Sequence, residues 1–153
     1  MMGPWRTGAR GRLVQSERGV ELIEFAFSLP VLLLILAGIL DFGFLFQRYE
    51  IVTNAAREGA RLKALPVTST TPDIQARVAA YLTNAGLDPS LATTAVNAVA
   101  IPINPNGTVT ASGNQVVVQY PYQFRVLAPI SGFFGGSFGT ITLSASAMMR
   151  SQA

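Results

Sequence analysis

Glu24 and Asp41 are two carboxylates that this sequence places in or beside a long apolar run, Phe25 to Phe46, where Ser28 is the other distinctly polar residue. An ionisable group at mid-bilayer costs about 2.5–3.5 kcal/mol on insertion scales, so each needs a reason. Glu24 stands near the start of the run, five residues past Gly19 and close behind the basic residue Arg18. From there it can reach headgroup water, or it can neutralise a cation when helices leave lipid for a dry protein interior. Asp41 stands near the other end among Phe42, Phe44, Phe46 and Tyr49, an aromatic-rich border, and reads as an interfacial residue.

Little other chemistry is on offer. The chain has no Cys and no His. Disulfides, most zinc and copper sites, and triads or dyads built on His or a Cys nucleophile are therefore excluded. Lys63 is the sole lysine, and Asp73 and Asp88 are too isolated to pair as acid and base. No catalytic residue, metal or cofactor is expected, and no small-molecule substrate. Residues 1–19 carry Arg6, Arg10, Arg12 and Arg18 against Glu17, a net of +3, which is the net charge of the whole chain. Basic charge confined to a tail does not line a folded groove, so nucleic acid is not expected as a partner.

The element that must position Glu24 is a helix. Residues 25–46 would span ~33 Å at about 1.5 Å per residue, enough to cross a hydrocarbon core. A secretory signal has a shorter apolar core with a small-residue cleavage site after it. Here Gln47-Arg48-Tyr49-Glu50 follows, which suits a retained anchor. Pro30 removes one backbone donor and is expected to kink or loosen the helix. Charge does not set the orientation, because Arg48, Arg57, Arg61 and Lys63 beyond the run match the four arginines before it.

Residues 19–65 resemble the TadE-like family, minor pilins or pseudopilins of tight-adherence (Flp, type IVc) pilus systems. The residues that carry this are Gly19 with Glu24-Phe25, Leu29-Pro30 and the leucine run, Asp41-Phe42-Gly43, and the block Asn54–Arg61. The closing segment Ile141–Arg150 is similar to the family's last strand. Glu21, a second acid just after the cut, is a departure from pilin-type sites. The resemblance implies cleavage between Gly19 and Val20 by a membrane prepilin peptidase that recognises Arg18, Glu24 and Phe25. It implies that Glu24 of one subunit pairs with the freed ammonium of Val20 on its neighbour. It also implies a bacterial inner-membrane protein with a cytoplasmic N-terminus, whose partners are the membrane, the peptidase, other pilin-like subunits and pilus assembly proteins.

The fold expected is α+β and pilin-like: a basic leader (1–19), a transmembrane and assembly helix (20–46), and an extracytoplasmic domain (47–153). The helix is expected to continue over Gln47–Leu65 with Ile51, Ala55, Gly59 and Leu62 on one face, Glu58 near Arg61, and Pro66 as its end. A second helix follows over Asp73–Asn84, with an Asp73–Arg77 pair and Gly86 as its stop. Strands are expected at Val96–Ile103, along Val116–Phe124 with alternate residues buried, and along Ile141–Met149. Asn104–Gly107 and Ser112-Gly113-Asn114 read as turns, and Pro121 as the mark of an edge strand or bulge. Pro129–Gly139, with Phe133, Phe134 and Phe138, reads either as a hairpin connection over the core or as an apolar contact for a partner subunit or the bilayer. Two non-enzymatic functions fit: a minor pilin, or an uncleaved single-pass binding module of the envelope.

Overall fold

The computed structural model describes residues 14–64, 69–133, 135–136 and 139–150, with side chains from Gly19 onward apart from Phe133. The expectations at Arg6, Arg10, Arg12, Pro66, Phe134 and Phe138, and for the side chains of Arg18 and Phe133, lie outside the described residues. In chain order the elements are α1 (Val14–Ala64), α2 (Thr71–Asn84), a 3-10 turn (Pro89–Leu91), β1 (Thr93–Pro102), β2 (Thr110–Tyr122), α3 (Leu127–Phe133) and β3 (Ile141–Arg150). The fold is α+β, a long N-terminal apolar helix followed by a three-stranded antiparallel sheet and short helices.

The chain divides into two compact units, one ending at Ile39 and one running from Leu40. In the first, the helix passes through Pro30 without interruption. The six side chains from Val31 to Leu36 are 49–63% exposed. Six consecutive helical residues cover every direction around the axis, so no face of this stretch is packed. A core helix of a soluble protein would bury at least one. Leaving these and the neighbouring apolar side chains in water would cost on the order of 20 kcal/mol at 1.5–3 kcal/mol each, far more than one carboxylate costs in lipid.

In the second unit, the remainder of α1 packs on α2 and the sheet. Val52, Ala55, Ala56 and Ala60 are buried with Ile74, Val78 and Leu82 of α2 and Val116 and Val118 of β2. Ile51 and Leu62 sit at the margin of this cluster. Small residues let the backbones approach closely. At Gly59 an added Cβ would lie 2.9 Å from Val78 Cγ2 and 3.2 Å from Val116 Cγ1.

Helix α2 begins two residues earlier than the sequence pattern predicts, because Thr70 is its N-cap. The Thr70 hydroxyl accepts from the Asp73 amide, while the Asp73 carboxylate accepts from the Thr70 amide at 2.8 Å, a reciprocal capping box. Asp73 therefore does not pair with Arg77. Arg77 instead donates through Nε (3.0 Å) and Nη2 to Glu58 on α1, and the expected Glu58–Arg61 pairing gives way to this tie between helices. At the other end Gly86 has φ 76°, its amide donates to Thr83 O, and the Leu87 amide donates to Leu82 O. That pairing is the Schellman stop, with buried Leu87 closing over Leu82.

The sheet order is β1-β2-β3. On β2, Val116, Val118, Tyr120 and Tyr122 are buried, as the two-residue period predicts. Two expectations are corrected. Ser112-Gly113-Asn114 is strand, all three residues paired with β1 and the last two with β3 as well, Gly113 opposite Val99 and Arg150. Small polar residues read as a turn, but cross-strand pairing on two sides overrides that local preference. Ile101 lies over Gly113, where a Cβ would fall 2.8 Å from Ile101 Cγ1. Strand β2 is also central, not an edge. Its pairing with β1 starts at Thr93 opposite Gln119, so at Pro121 only β3 flanks it and a missing amide hydrogen is tolerated. Part of the expected connection at 129–139 is helical, because α3 occupies Leu127–Phe133 with Pro129 in its first turn.

Candidate functional site

Gly19, Val20 and Glu24 lie on one continuous helix, since α1 starts at Val14. Val20 and Glu24 are four residues apart, so they share a face one turn apart. Val20 is 63% exposed, and Glu24 is exposed too. Among the described residues, Glu24 has no hydrogen bond or ion pair. Phe25 is exposed beside it, and Ser28, the other polar group nearby, returns its hydroxyl to the Phe25 carbonyl at 3.1 Å. A Cβ at Gly19 would meet nothing within 4 Å, so packing does not ask for glycine there. That is the reverse of Gly59, where α2 and β2 press against the position.

The second carboxylate behaves differently. Asp41 is fully buried, not interfacial. Its Oδ1 accepts from the Arg125 amide at 2.8 Å, its Oδ2 accepts from the Leu127 amide at 2.7 Å, and the Val126 amide donates to both oxygens at 3.1 Å. Those are the amides that enter α3, so a residue of α1 caps a helix 86 residues further on. The Tyr122 hydroxyl donates to the Asp41 carbonyl at 3.0 Å. Burial, then the nearby Asp41 charge, pushes the Tyr122 phenol up, which keeps it a neutral donor at neutral pH. Asp41 is thus an internal tie that holds the 122–127 segment to α1.

The block Asn54–Arg61 divides cleanly by face. Ala55, Ala56 and Ala60 are core, Glu58 holds Arg77, and Arg57 and Arg61 are exposed. The spacing of Gly19, Glu24, Asp41 and this block along one helix is what a sequence comparison can register. Residues 19–61 match the TadE-like protein family. No curated protein and no solved structure matches the chain.

The TadE-like match covers the apolar stretch and the start of the packed half of α1, and it associates the chain with Tad pilus systems. It stops before α2 and the sheet, so the expected similarity of Ile141–Arg150 to the family's last strand lies outside it. One helix among the described residues is long and apolar enough to cross a membrane. No set of three or more His, Cys, Asp or Glu side chains is gathered as a metal-binding group among those residues.

Proposed function

We propose that this chain is a membrane-anchored minor pilin, or pseudopilin, cut after Gly19 by a prepilin peptidase and taking part in the assembly of a Tad/Flp-type pilus. The supporting observation is the placing of an exposed Glu24, unpartnered among the described residues, one turn after Val20, at the head of an apolar stretch whose side chains up to Leu36 lie exposed. Cleavage turns the Val20 nitrogen into an ammonium. In a bundle of such helices, Glu24 of one subunit meets that ammonium on the next, and both charges are neutralised as they leave water and lipid. Residues 20–46 form the transmembrane and assembly helix, and residues 1–19 are the leader that is removed. The chain spans the inner membrane once, with its N-terminus in the cytoplasm and its domain outside.

Gly19 adds independent support. Glycine costs a helix about 1 kcal/mol relative to alanine, and local packing gives nothing back here. A glycine that the fold does not need is accounted for by an enzyme that must open the helix and admit the chain at that point. Arg18, Glu24 and Phe25 flank the bond and are the residues that enzyme would read. Pro30 weakens the helix by one backbone bond without interrupting it.

The test compares the parent chain with Gly19→Val and Glu24→Ala in cells that carry a prepilin peptidase. Gly19→Val is expected to stay in the membrane at the uncut mass. Glu24→Ala is expected to lose co-isolation with pilin-like subunits while remaining membrane-bound. Normal processing of Gly19→Val, or normal co-isolation of Glu24→Ala, contradicts the proposal and favours an uncleaved single-pass envelope module.

A further inference from the structure

Beside the Asp41 tie, the domain has a groove of about 370 Å³ between α1 and the end of β2. Arg48 of α1 and Arg125 of the loop before α3 line it, together with Tyr120, Tyr122 and Gln123. No Asp or Glu lines it. Asp41 acts electrostatically on Arg125 but makes no ion pair with it, both its oxygens accepting from the 125–127 backbone amides. Among the described residues the ion pair is Arg77–Glu58, so neither groove arginine is ion-paired with a carboxylate. Arg125 is held in place by its guanidinium, 5.8 Å above the Phe44 ring. Both arginines act electrostatically on the Tyr122 phenol.

The position of this groove along α1 says what would fill it. At 1.5 Å per residue, residues 20–46 reach about 40 Å, the thickness of a bilayer with its headgroup layers. Exposed Phe42, Phe44 and Phe46 fall in the last of these turns, where aromatic side chains favour the headgroup level. Arg48 comes directly after them, and an arginine at that height reaches back toward phosphates. A groove with two cations and no acid in its lining, beside that stretch of α1, matches a phosphodiester in charge and in guanidinium donors.

We propose that the Arg48–Arg125 groove binds the headgroup of an anionic phospholipid in the leaflet facing the domain, fixing how high the domain rides on the bilayer. The inference rests on the chain being membrane-anchored and is independent of cleavage at Gly19 and of filament assembly. The lipid phosphate accepts from the two guanidinium groups and from the Gln123 amide, while its acyl chains run down beside α1. Free inorganic phosphate would offer the same oxygens but none of the apolar contact.

The experiment uses the full chain in nanodiscs of phosphatidylcholine mixed with phosphatidylglycerol, extracted gently and examined by native mass spectrometry for retained lipid. Incorporation into the discs tests the anchor, and lipid preference tests the groove, so the two can fail separately. Phosphatidylglycerol is expected to be retained in preference to phosphatidylcholine. Arg48→Gln and Arg125→Gln should each reduce that preference about fivefold. Arg48→Lys, which keeps the charge, should restore most of it, and Arg57→Gln on the exposed face of α1 should leave it unchanged. Inorganic phosphate in the buffer should not displace the lipid. Equal retention of the two lipids, an equal effect of Arg57→Gln, or displacement by phosphate overturns the proposal.

Discussion

At the scale of single residues, two carboxylates separated by one apolar stretch do opposite jobs. Asp41 is saturated by three amides inside its own chain, whereas Glu24 is exposed and, among the described residues, has no partner. Asp41→Ala would leave the 125–127 amides without their acceptor and is expected to cost about 3 kcal/mol. That corresponds to a fall of roughly 10 °C or more in the melting of the domain, followed by the near-ultraviolet signal of Tyr120 and Tyr122 in the full chain. Asp41→Asn keeps an acceptor oxygen and should lose less. A melting point unchanged in Asp41→Ala would show that the tie is not structural. Gly59→Leu is the complementary case. It gains helix propensity of about 1 kcal/mol but forces side-chain atoms into Val78 and Val116, an overpacking that costs about 1–3 kcal/mol or more. A net loss of stability in a denaturant titration is expected, and a gain would contradict the packing described. The role of Asp41 was not legible in the sequence, because its acceptors' partners are backbone amides 84–86 residues away, which carry no residue type. Glu24 was legible because its neighbourhood is local: a glycine, an acid and an apolar run.

At the scale of elements, what reads from sequence is what depends on neighbours along the chain. The continuation of α1 past the apolar run, the alternation of β2 and the stop at Gly86 all follow local periodicity or backbone freedom. The misreadings are the places where pairing across space decides. Ser112-Gly113-Asn114 becomes strand because β1 and β3 lie on both sides, and Arg77 finds Glu58 on α1 in preference to Asp73 one turn away. The exchange is physically sensible, since Asp73 is already engaged at the cap. The hydroxyl of Thr70, then its amide, hold the Asp73 carboxyl below the usual Asp range, and Ser90 does the same for Asp88 at the 3-10 turn. A depressed folded-state value means that the cap contributes fully above about pH 4 and that its contribution is lost as pH falls through the lower folded value. Protection of the Thr70–Ile74 amides, taken relative to intrinsic exchange at the same pH, is therefore expected to fall on acidification below about pH 4, while the α2–β2 core stays protected. Thr70→Ala should produce the same fraying at neutral pH, at a cost of about 1 kcal/mol. Exchange in that segment that is indifferent both to acid and to Thr70→Ala would remove the capping box from the account.

At the scale of the whole molecule, the sequence divides its hydrophobicity between two uses. From Val20 to Leu36 the apolar side chains lie open on a helix, while from Val52 onward small and branched residues are buried in a modest α+β core. The first use only makes sense in lipid or against copies of the same helix, and it overlaps the TadE-like match at 19–61. The sheet lies beyond that match, and alternation and turn chemistry, with the similarity of Ile141–Arg150 to the family's last strand, found three strands but not their order. In the proposed mature protein this helix starts at a new amine on Val20, one turn from Glu24. The mass of the N-terminal peptide of the native, membrane-resident chain tests it most directly. The expected peptide begins at Val20, with the arginine-bearing residues before it gone. A mature chain that still begins upstream of Gly19 would contradict it.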